Sequence, residues 1–427
     1  MNGTISETVS PRTSYKLDRM HAFLRELGNP ERAYPIVHVG GTSGKGSTST
    51  MIAAALQAAG KRTALHVKPH LHSMTERARI DGTPVSEERF AALLNEMMPA
   101  IERTAPAFGR PTYYETLLAL AYLHFAREAV DVAVLEVGLG GRLDGTNTIL
   151  PALAAITSVG YDHTEVLGST LEAIAAEKAG IAKPGVPLVV GDLPSGALAV
   201  VERIANEAGA PVIRAWDGVS IVNVRNDVDR QAFDVVTPRA RYALTTPALG
   251  AFQRGNAVTA IAVLERLPAE LAPSAGAIVA GFAALSIPGR MEILKGRGVP
   301  VVFDIAHNPE KAQRLLEAMR ERFPERRFRY VVAVSEGKDA QGVVSALQMP
   351  RATFTFTTFA TPGRKALSAD DLAAAARARG IEAQSIDDPY AALRAVFDDA
   401  GESDAVVVTG STFVVAELRE WFATTAA

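Results

Sequence analysis

The sequence predicts an α/β protein of two domains. Residues 1–287 are expected to form a mostly parallel sheet with a small antiparallel appendage, and residues 288–427 a doubly wound, Rossmann-like unit. Three observations carry this reading. A β-branched strand around Ile36, Val37 and Val39 runs into a glycine-rich turn and then a helical pattern, Met51 to Leu56. Beyond it, short apolar runs alternate with helical stretches, as in sheets whose strands are buried on both faces by crossover helices. Near Ser286-Ile287-Pro288-Gly289-Arg290 that alternation restarts. A chain of 427 residues is also long for one core.

Taken in order, Leu17, Met20, Phe23, Leu24 and Leu27 recur at helical spacing until Gly28-Asn29-Pro30 stops them. After the glycine turn, a strand at 63–67 delivers an irregular polar stretch, residues 68–77, which reads equally as a substrate or metal loop and as a plain connection. Helical patterns cover 86–103 and 112–127, and residues 130–137 read as a buried strand with Glu136 near its end. A strand at 154–159 leads to Tyr161-Asp162-His163-Thr164, and a helix at 171–180 carries Lys178. After residues 187–190, alternation at 219–224 and 233–236 predicts the antiparallel appendage, and helices at 256–267 and 275–285 close the first domain. In the second, strands at 301–304, 330–335, 353–359 and 405–409 alternate with helices at 310–322, 340–347, 372–379 and a last one ending at Phe422.

Composition narrows the function. The chain holds 44 Lys and Arg against 47 Asp and Glu, a formal charge of −3, which argues against a broad basic surface for nucleic acid. It has no cysteine, which excludes disulfides and thiolate-bound metals. No apolar run approaches membrane length and residues 1–12 lack the apolar core of a leader, so a soluble, cytoplasmic protein is expected.

The chemistry concentrates in Gly40-Gly41-Thr42-Ser43-Gly44-Lys45-Gly46-Ser47-Thr48. Strand, glycine turn, lysine and helix is the layout of a phosphate-binding loop. Glycines let backbone amides surround phosphate oxygens, the helix N-terminus adds partial positive charge, and Lys45 reaches the outer phosphates. The spacing departs from G-x-x-x-x-G-K-[ST], since the hydroxyl pair Ser47 and Thr48 begins two residues after the lysine. A nucleoside triphosphate is the expected ligand. Ligands of open α/β sheets bind beyond the carboxyl ends of strands. Glu136 stands at such an end and is a candidate Mg²⁺ ligand; its competing reading is a buried ion pair, for instance with Arg142.

Leu27-Gly28-Asn29-Pro30, residues 38–47, Thr75-Glu76-Arg77 with 80–82, residues 134–147, Asp162-His163-Thr164, residues 175–185, Pro288-Gly289-Arg290 and residues 304–309 follow in a series. That series resembles the folylpolyglutamate synthase/dihydrofolate synthase family, a branch of the Mur ligase superfamily, from about residue 17 to the C-terminus. The resemblance implies a P-loop-type Mur ligase ATPase domain followed by a Rossmann-like domain, with ATP and one or two Mg²⁺ ions as cofactors. By resemblance, Thr42, Ser43, Gly44, Lys45, Gly46 and Ser47 hold the ATP phosphates, Asn256 lies on the adenine side, and Arg290, Asp304, His307 and Asn308 are further ATP contacts. Ser47, Glu136, His163 and Lys178 fall on metal-site positions, and Lys45, Glu136, His163, Lys178 and His307 make up the implied catalytic set. Lys178 matches a lysine that relatives carry N-carboxylated. A partly buried lysine loses proton affinity, and its neutral amine can take up CO2. Its plain alternative is a helical lysine paired with a carboxylate, as Asp304 has the alternative of a helix cap.

Substrate contacts are implied at Lys68, His70, Glu76, Arg77, Tyr114, Glu115, Leu143 and Asp144. Tyr113 and Tyr114 either stack on a flat heterocycle or pack in the core. The implied reaction activates a carboxylate as an acyl phosphate and transfers it to an amine, with domain closure excluding water. The implied partners are a pterin or folate-like acid and glutamate, with no nucleic acid, no membrane and a monomeric chain. A Mur-type ligase for a non-folate acid and a non-catalytic ATP-binding homologue are the alternatives. Three departures stand out: Ser43 for an asparagine, Lys68 for a serine that binds the first magnesium, and Ser335-Glu336-Gly337-Lys338-Asp339, which keeps only the Lys-Asp of a longer motif. Lys68 either takes that ion's place on the phosphates or turns to the acid substrate or Glu76.

Overall fold

A computed structural model describes residues 17–296, 298–361 and 363–425, so residues 1–12, read above as free of a leader, lie outside it. The chain divides into two compact units. One takes residues up to 222 with 234–244 and 253–285, and the other takes 223–233, 245–252 and residues from 286 onward.

The first unit is built on an eight-stranded sheet: β1 (Ile36–Gly40), β2 (Thr63–His66), β3 (Arg79–Ile80), β4 (Thr83–Pro84), β5 (Val132–Glu136), β6 (Leu153–Ile156), β7 (Leu188–Val190) and β8 (Val212–Arg214), in the order β4-β3-β2-β5-β1-β6-β7-β8. β2, β5, β1, β6, β7 and β8 run parallel; at one edge β3 turns back against β2 and β4 turns again against β3. All five residues of β1 and of β5 are buried, as continuous apolar runs require in a covered parallel sheet. The register sets Val39 beside Glu136, which brings the end of β5 to the turn after β1.

Helices α1 (Leu17–Glu26), α2 (Lys45–Ala58), α3 (Glu87–Phe108), α4 (Tyr113–Arg127), α5 (Thr164–Leu167), α6 (Leu171–Ala179), α7 (Ser195–Glu207), α8 (Ala251–Leu264) and α9 (Ala275–Ala283) accompany these strands. Met20, Phe23, Leu93, Met97 and Leu118 from α1, α3 and α4 form one core cluster, and Ile174, Ala197 and Val201 from α6 and α7 belong to another. α9 lies so close to α2 that a Cβ on Gly281 would stand 2.6 Å from the Ala54 carbonyl. α7 and β8 were not expected from the sequence. The buried stripe of α7 is Ala197, Val201 and Ala205, too small in side chain to announce an apolar face.

The appendage has three strands, β9 (Ser220–Asn226), β10 (Gln231–Val236) and β11 (Arg241–Thr246), in the order β11-β10-β9, one more than its pattern suggested. Short turns join them, closed by the Asp227 N–H on the Arg230 carbonyl and the Thr237 N–H on the Ala240 carbonyl.

The second unit is a six-stranded sheet of β12 (Glu292–Gly296), β13 (Val299–Phe303), β14 (Arg327–Val332), β15 (Thr353–Phe356), β16 (Ala383–Ser385) and β17 (Asp404–Thr409), ordered β12-β13-β17-β14-β15-β16. All neighbours are parallel except β12, which pairs antiparallel with β13. Helices α10 (Pro309–Arg322), α11 (Ala340–Leu347), α12 (Ala369–Arg377), α13 (Pro389–Asp398) and α14 (Thr412–Thr425) complete it. Tyr330, Phe354 and Phe356 stack across β14 and β15, with centroids 4.8 and 6.1 Å apart, and anchor the core with Leu315, Met319 and Val343. β12, β16 and α13 were missed: β12 is only partly buried and β16 spans three residues.

Candidate active site

The glycine turn after β1 is pinned from the next strand. Thr157 Oγ1 and Ser158 Oγ both donate to the Ser43 carbonyl, at 2.6 and 2.9 Å, and the Ser43 N–H donates to Ser158 Oγ at 2.9 Å. Thr42 closes the other side: its N–H donates to the Ser158 carbonyl and its hydroxyl to the Gly160 carbonyl. Glycine is required at two positions. Gly41 has φ +140° and a Cβ there would lie 2.1 Å from Thr157 Oγ1, while Gly44 has φ +83° and its Cβ would lie 2.2 Å from Asn256 Oδ1. The loop amides are thus held in a fixed cradle at the start of α2.

Three lysines converge on this cradle. Lys45 Nζ donates to the carbonyls of Gly41 and Thr42 at 3.0 and 3.2 Å. Lys178, on α6 and 3% exposed, donates to the same Gly41 carbonyl at 3.1 Å. Burial, reinforced by the nearby charge of Lys45 and opposed by Asp162, pushes its ammonium down to about 7. A lysine there is neutral in a large fraction of molecules near neutral pH, and the expected carboxylate partner is not what holds its Nζ. Lys68 is the third. Its backbone N–H donates to Glu136 Oε2 at 2.8 Å, and its ammonium lies 5.7 Å from the centre of the Tyr114 ring. Burial lowers its affinity for a proton, and Asp144 and Glu136 draw it back up.

Glu136 is buried at the end of β5, and a Cβ on Gly46 would stand 3.2 Å from its Oε2. The suspected ion pair with Arg142 does not form, because Arg142 Nη2 pairs with Glu177 Oε1 at 2.8 Å. Ser47, next to Gly46 in sequence, is buried and accepts from Gln253 Nε2 at 3.2 Å. Asn256, on the same helix as Gln253, donates back to Gln253 Oε1 at 2.9 Å. His163 stands apart in character. It has φ +51°, caps α5, is 42% exposed in its side chain, and lies 3.8 Å from Asp162 Oδ1 and 3.5 Å from Glu165 Oε1. Among the described residues no three histidine, aspartate or glutamate side chains form a metal cluster. The oxygens of Glu136 and Ser47 at the cradle nonetheless suit Mg²⁺, which takes few protein ligands and shares the rest with phosphates.

Beyond Glu136 a buried polar chain runs to the helices. Tyr114 OH donates to Asp144 Oδ1 at 2.9 Å, Asp144 also accepts from the Leu139 and Thr146 N–H groups and from Thr146 Oγ1, and Thr146 Oγ1 lies 2.8 Å from His38 Nε2. Burial pushes both His38 and His66 down to about 4, so both are neutral. His70 Nδ1 accepts from Arg77 Nε at 3.0 Å, and Arg77 stacks on the Tyr113 ring. Leu143 lines a cleft of about 240 Å³ with Leu139, Gly140 and Leu167.

Two expected substrate contacts are engaged elsewhere. Glu76 accepts the N–H groups of Leu71, His72 and Ser73 and pairs with Arg79 at 3.1 Å, so it is not the partner of Lys68. Glu115 closes the capping box of α4 with Thr112 and pairs with Arg19 at 2.8 Å. Thr157, Ser158, Gln253, His38 and His66 went unnoticed as site residues. Only the position of Thr157 and Ser158, directly after β6 at the same sheet edge, could have drawn attention to them.

In the second unit, Asp304 accepts the N–H groups of Met291 and Ala306, both at 2.8 Å, and so braces a loop; the helix cap is Asn308, whose Oδ1 accepts from the Lys311 N–H at 2.9 Å. Burial pushes Asp304 up to about 6, against the pull of Arg290 and these N–H groups. His307 donates from Nδ1 to the Ile305 carbonyl and accepts from Lys311 at Nε2, which fixes one tautomer. Asp339 of the shortened motif caps α11 through the Gly342 N–H.

A P-loop sheet followed by a doubly wound unit defines the Mur ligase class. Residues 39–264 match the Mur ligase middle domain and residues 289–412 the Mur ligase glutamate ligase domain. The chain belongs to the dihydrofolate synthase/folylpolyglutamate synthase family. It is 34% identical over 410 residues to the dihydrofolate synthase/folylpolyglutamate synthase of Bacillus subtilis, covering 95% of this chain and 94% of the relative. It superposes on the folylpolyglutamate synthase of Mycobacterium tuberculosis complexed with ADP and AMPPCP with a TM-score of 0.87 at 31% identity, covering 95% of each chain. The Yersinia pestis bifunctional enzyme complexed with AMPPNP and a Mn ion gives 0.82 at 30% identity, covering 98% of this chain and 95% of that one. The expected α/β fold, family and ligase class are borne out. The nucleotides and metal of those complexes agree with the expectation of ATP and a divalent ion. Among the described residues no helix is long and apolar enough to cross a membrane.

Proposed function

We propose that this chain is an ATP-dependent carboxylate–amine ligase that adds L-glutamate to dihydropteroate or to a (poly)glutamyl folate. The observation that carries it is the pinned glycine cradle with Lys45 and Glu136 at its rim, in a chain related over nearly its whole length to enzymes of that name. In the first step an oxygen of the acid's carboxylate bonds to the γ-phosphorus as the bond to ADP breaks, leaving an acyl phosphate. The glutamate amine then attacks the carbonyl carbon, and phosphate departs with the amine proton. Lys45 leaves the Gly41 and Thr42 carbonyls for phosphate oxygens and balances the charge that develops there. The amides of Gly44, Gly46 and Ser47 at the start of α2 hold the remaining phosphates in line, while those of Thr42 and Ser43 stay on Ser158 and brace the loop. Glu136 and Ser47 would hold Mg²⁺, which would supply Lewis-acid polarisation of the phosphoryl oxygens. Lys178, as a carbamate, and His163 are the further oxygen and nitrogen donors of this reading.

Tyr114, Asp144, His70, Arg77 and Leu143 are proposed to face the acid, and Asn256, Arg290, Asp304, His307 and Asn308 to contact ATP, on the family resemblance. Residues 1–287 and 288–427 are taken as the functional domains. A monomer working in the cytoplasm on small molecules, without membrane, is part of this reading, and the net charge of −3 fits the absence of a nucleic-acid partner. The test follows ADP release with each candidate acid in turn. Release that requires dihydropteroate or a folate together with glutamate supports the proposal, and release with neither, or with a different acid alone, overturns it.

A further inference from the structure

We propose that Lys68 is a second phosphate lysine, whose ammonium binds an oxygen of the transferred γ-phosphoryl group alongside Lys45. The inference rests on the ligase reading above and goes beyond it by adding a catalytic residue outside the glycine loop. The placement comes first. Lys68 stands two residues beyond the end of β2, and β2 pairs with β5 in a register that sets His66 beside Leu135. Its N–H is fixed to Glu136 Oε2 at 2.8 Å, and that oxygen would lie 3.2 Å from a Cβ on Gly46. The lysine backbone is therefore one carboxylate away from the residue that follows Lys45.

The side chain is equally telling. Other cations held at rigid positions have a partner: Arg19 pairs with Glu115 at 2.8 Å and Arg329 with Asp404 at 2.9 Å, while Lys45 and Lys178 donate to the Gly41 carbonyl. The Lys68 ammonium does neither. Among the described residues its ammonium has no ion-pair or hydrogen-bond partner, and it lies 5.7 Å from the centre of the Tyr114 ring. Asp144, the carboxylate that draws on it most, already accepts four hydrogen bonds from Tyr114, Leu139 and Thr146. Glu136 accepts the lysine's own backbone N–H rather than its ammonium. A half-buried, unpaired cation is costly unless an anion arrives to meet it. The anion that the adjacent cradle gathers is a triphosphate, and a flexible point charge suits its outermost oxygens. Fixed there, the ammonium does part of what a second divalent ion would do, and it repels such an ion from the same corner.

Equilibrium binding of ADP and of a non-hydrolysable ATP analogue to the full chain tests this, with Mg²⁺ and in excess chelator. Lys68→Met, which keeps the alkyl stem beside Tyr114, and Lys68→Arg, which keeps the charge, are compared with the unaltered protein. The expected result is a loss of about tenfold or more in affinity for the triphosphate with Lys68→Met, in line with a lost charge-assisted hydrogen bond. ADP affinity should stay within about twofold, the loss should persist in chelator, and Lys68→Arg should restore most of it. Unchanged triphosphate binding with a raised KM for the acid would overturn the proposal in favour of an acid-binding lysine. An equal loss for ADP and the analogue would overturn it as well. If Lys68→Met melts early by circular dichroism, Lys68→Gln carries the same comparison. Nucleotide binding needs neither acid nor glutamate, so failure of the ligase reading would show in ADP release and leave this measurement intact.

Discussion

Replacing Gly46 by alanine should separate stability from activity. Gly46 sits in the first turn of α2 with helical backbone, where alanine is favoured over glycine by up to about 1 kcal/mol. Its new Cβ would lie 3.2 Å from Glu136 Oε2 and 3.7 Å from Glu136 Cδ, closer than ordinary contact at the first of these. The carboxylate must then retreat by a few tenths of an ångström. It cannot do so alone, because the same oxygen holds the Lys68 N–H at 2.8 Å. A misplacement of about 1 Å in a catalytic array costs roughly 100-fold, so a smaller shift of Glu136 and Lys68 together should cost about tenfold in kcat/KM, or roughly 1.4 kcal/mol of barrier. The assay pairs ADP release in the presence of acid and glutamate with a thermal melt. Full activity in the alanine variant would show that Glu136 does not need its present position. Unfolding at much lower temperature would show that the helix, rather than the site, depends on this glycine.

Other expectations follow from the same geometry. Lys45→Ala should abolish glutamate-dependent ADP release while leaving the melting curve in place, because Lys45 bonds only to two loop carbonyls in the resting protein. Lys178→Ala should lose activity that acetate partly restores, and bicarbonate depletion should slow the unaltered enzyme but not this variant. Burial holds the Asp304 carboxyl at about 6 in the folded chain, against an ordinary value near 3.8. Between those values only the folded state keeps the proton, so the stability due to Asp304 is full below about pH 4 and falls as pH rises to about 6, by roughly 3 kcal/mol. Urea unfolding should show that change as a pH-dependent gap between the unaltered chain and Asp304→Asn.

Local chemistry was legible in the sequence and long-range partnership was not. The glycine loop, Glu136 at a strand end and Lys178 on a helix are set by neighbours a few residues away, and their patterns survive in one dimension. The bonds that pin Ser43 come from Thr157 and Ser158, 114 and 115 positions on, and Gln253 reaches Ser47 across 206 positions. Nothing in the sequence marks those pairs. Glu76 and Glu115 teach a different lesson. Each closes a capping box three residues after a serine or threonine, Ser73 and Thr112, and that local signature was visible. The family motif implies a substrate contact at the same positions. A carboxylate engaged by three backbone N–H groups and an arginine, as Glu76 is, shapes the loop that carries Lys68 and His70.

The shared carbonyl of Gly41 ties the two halves of the site together. Lys45 and Lys178 donate to it at 3.0 and 3.1 Å, so their ammonium groups stand no more than about 6 Å apart. At an effective dielectric of about 20, two such charges repel by roughly 3 kcal/mol, which is one reason Lys178 gives up its proton so readily. Neutral Lys178 removes the repulsion. The carbamate proposed for it goes further and turns repulsion into attraction of similar size, while its remaining N–H can stay on the Gly41 carbonyl. No backbone needs to move. Deprotonation, CO2 uptake and retention of the positive charge on Lys45 therefore favour one another, and each leaves Lys45 charged for the phosphates it must meet. The glycine at position 41 is required twice over in this arrangement: its φ of +140° and the 2.1 Å approach of Thr157 exclude a side chain, and its carbonyl orients both lysines.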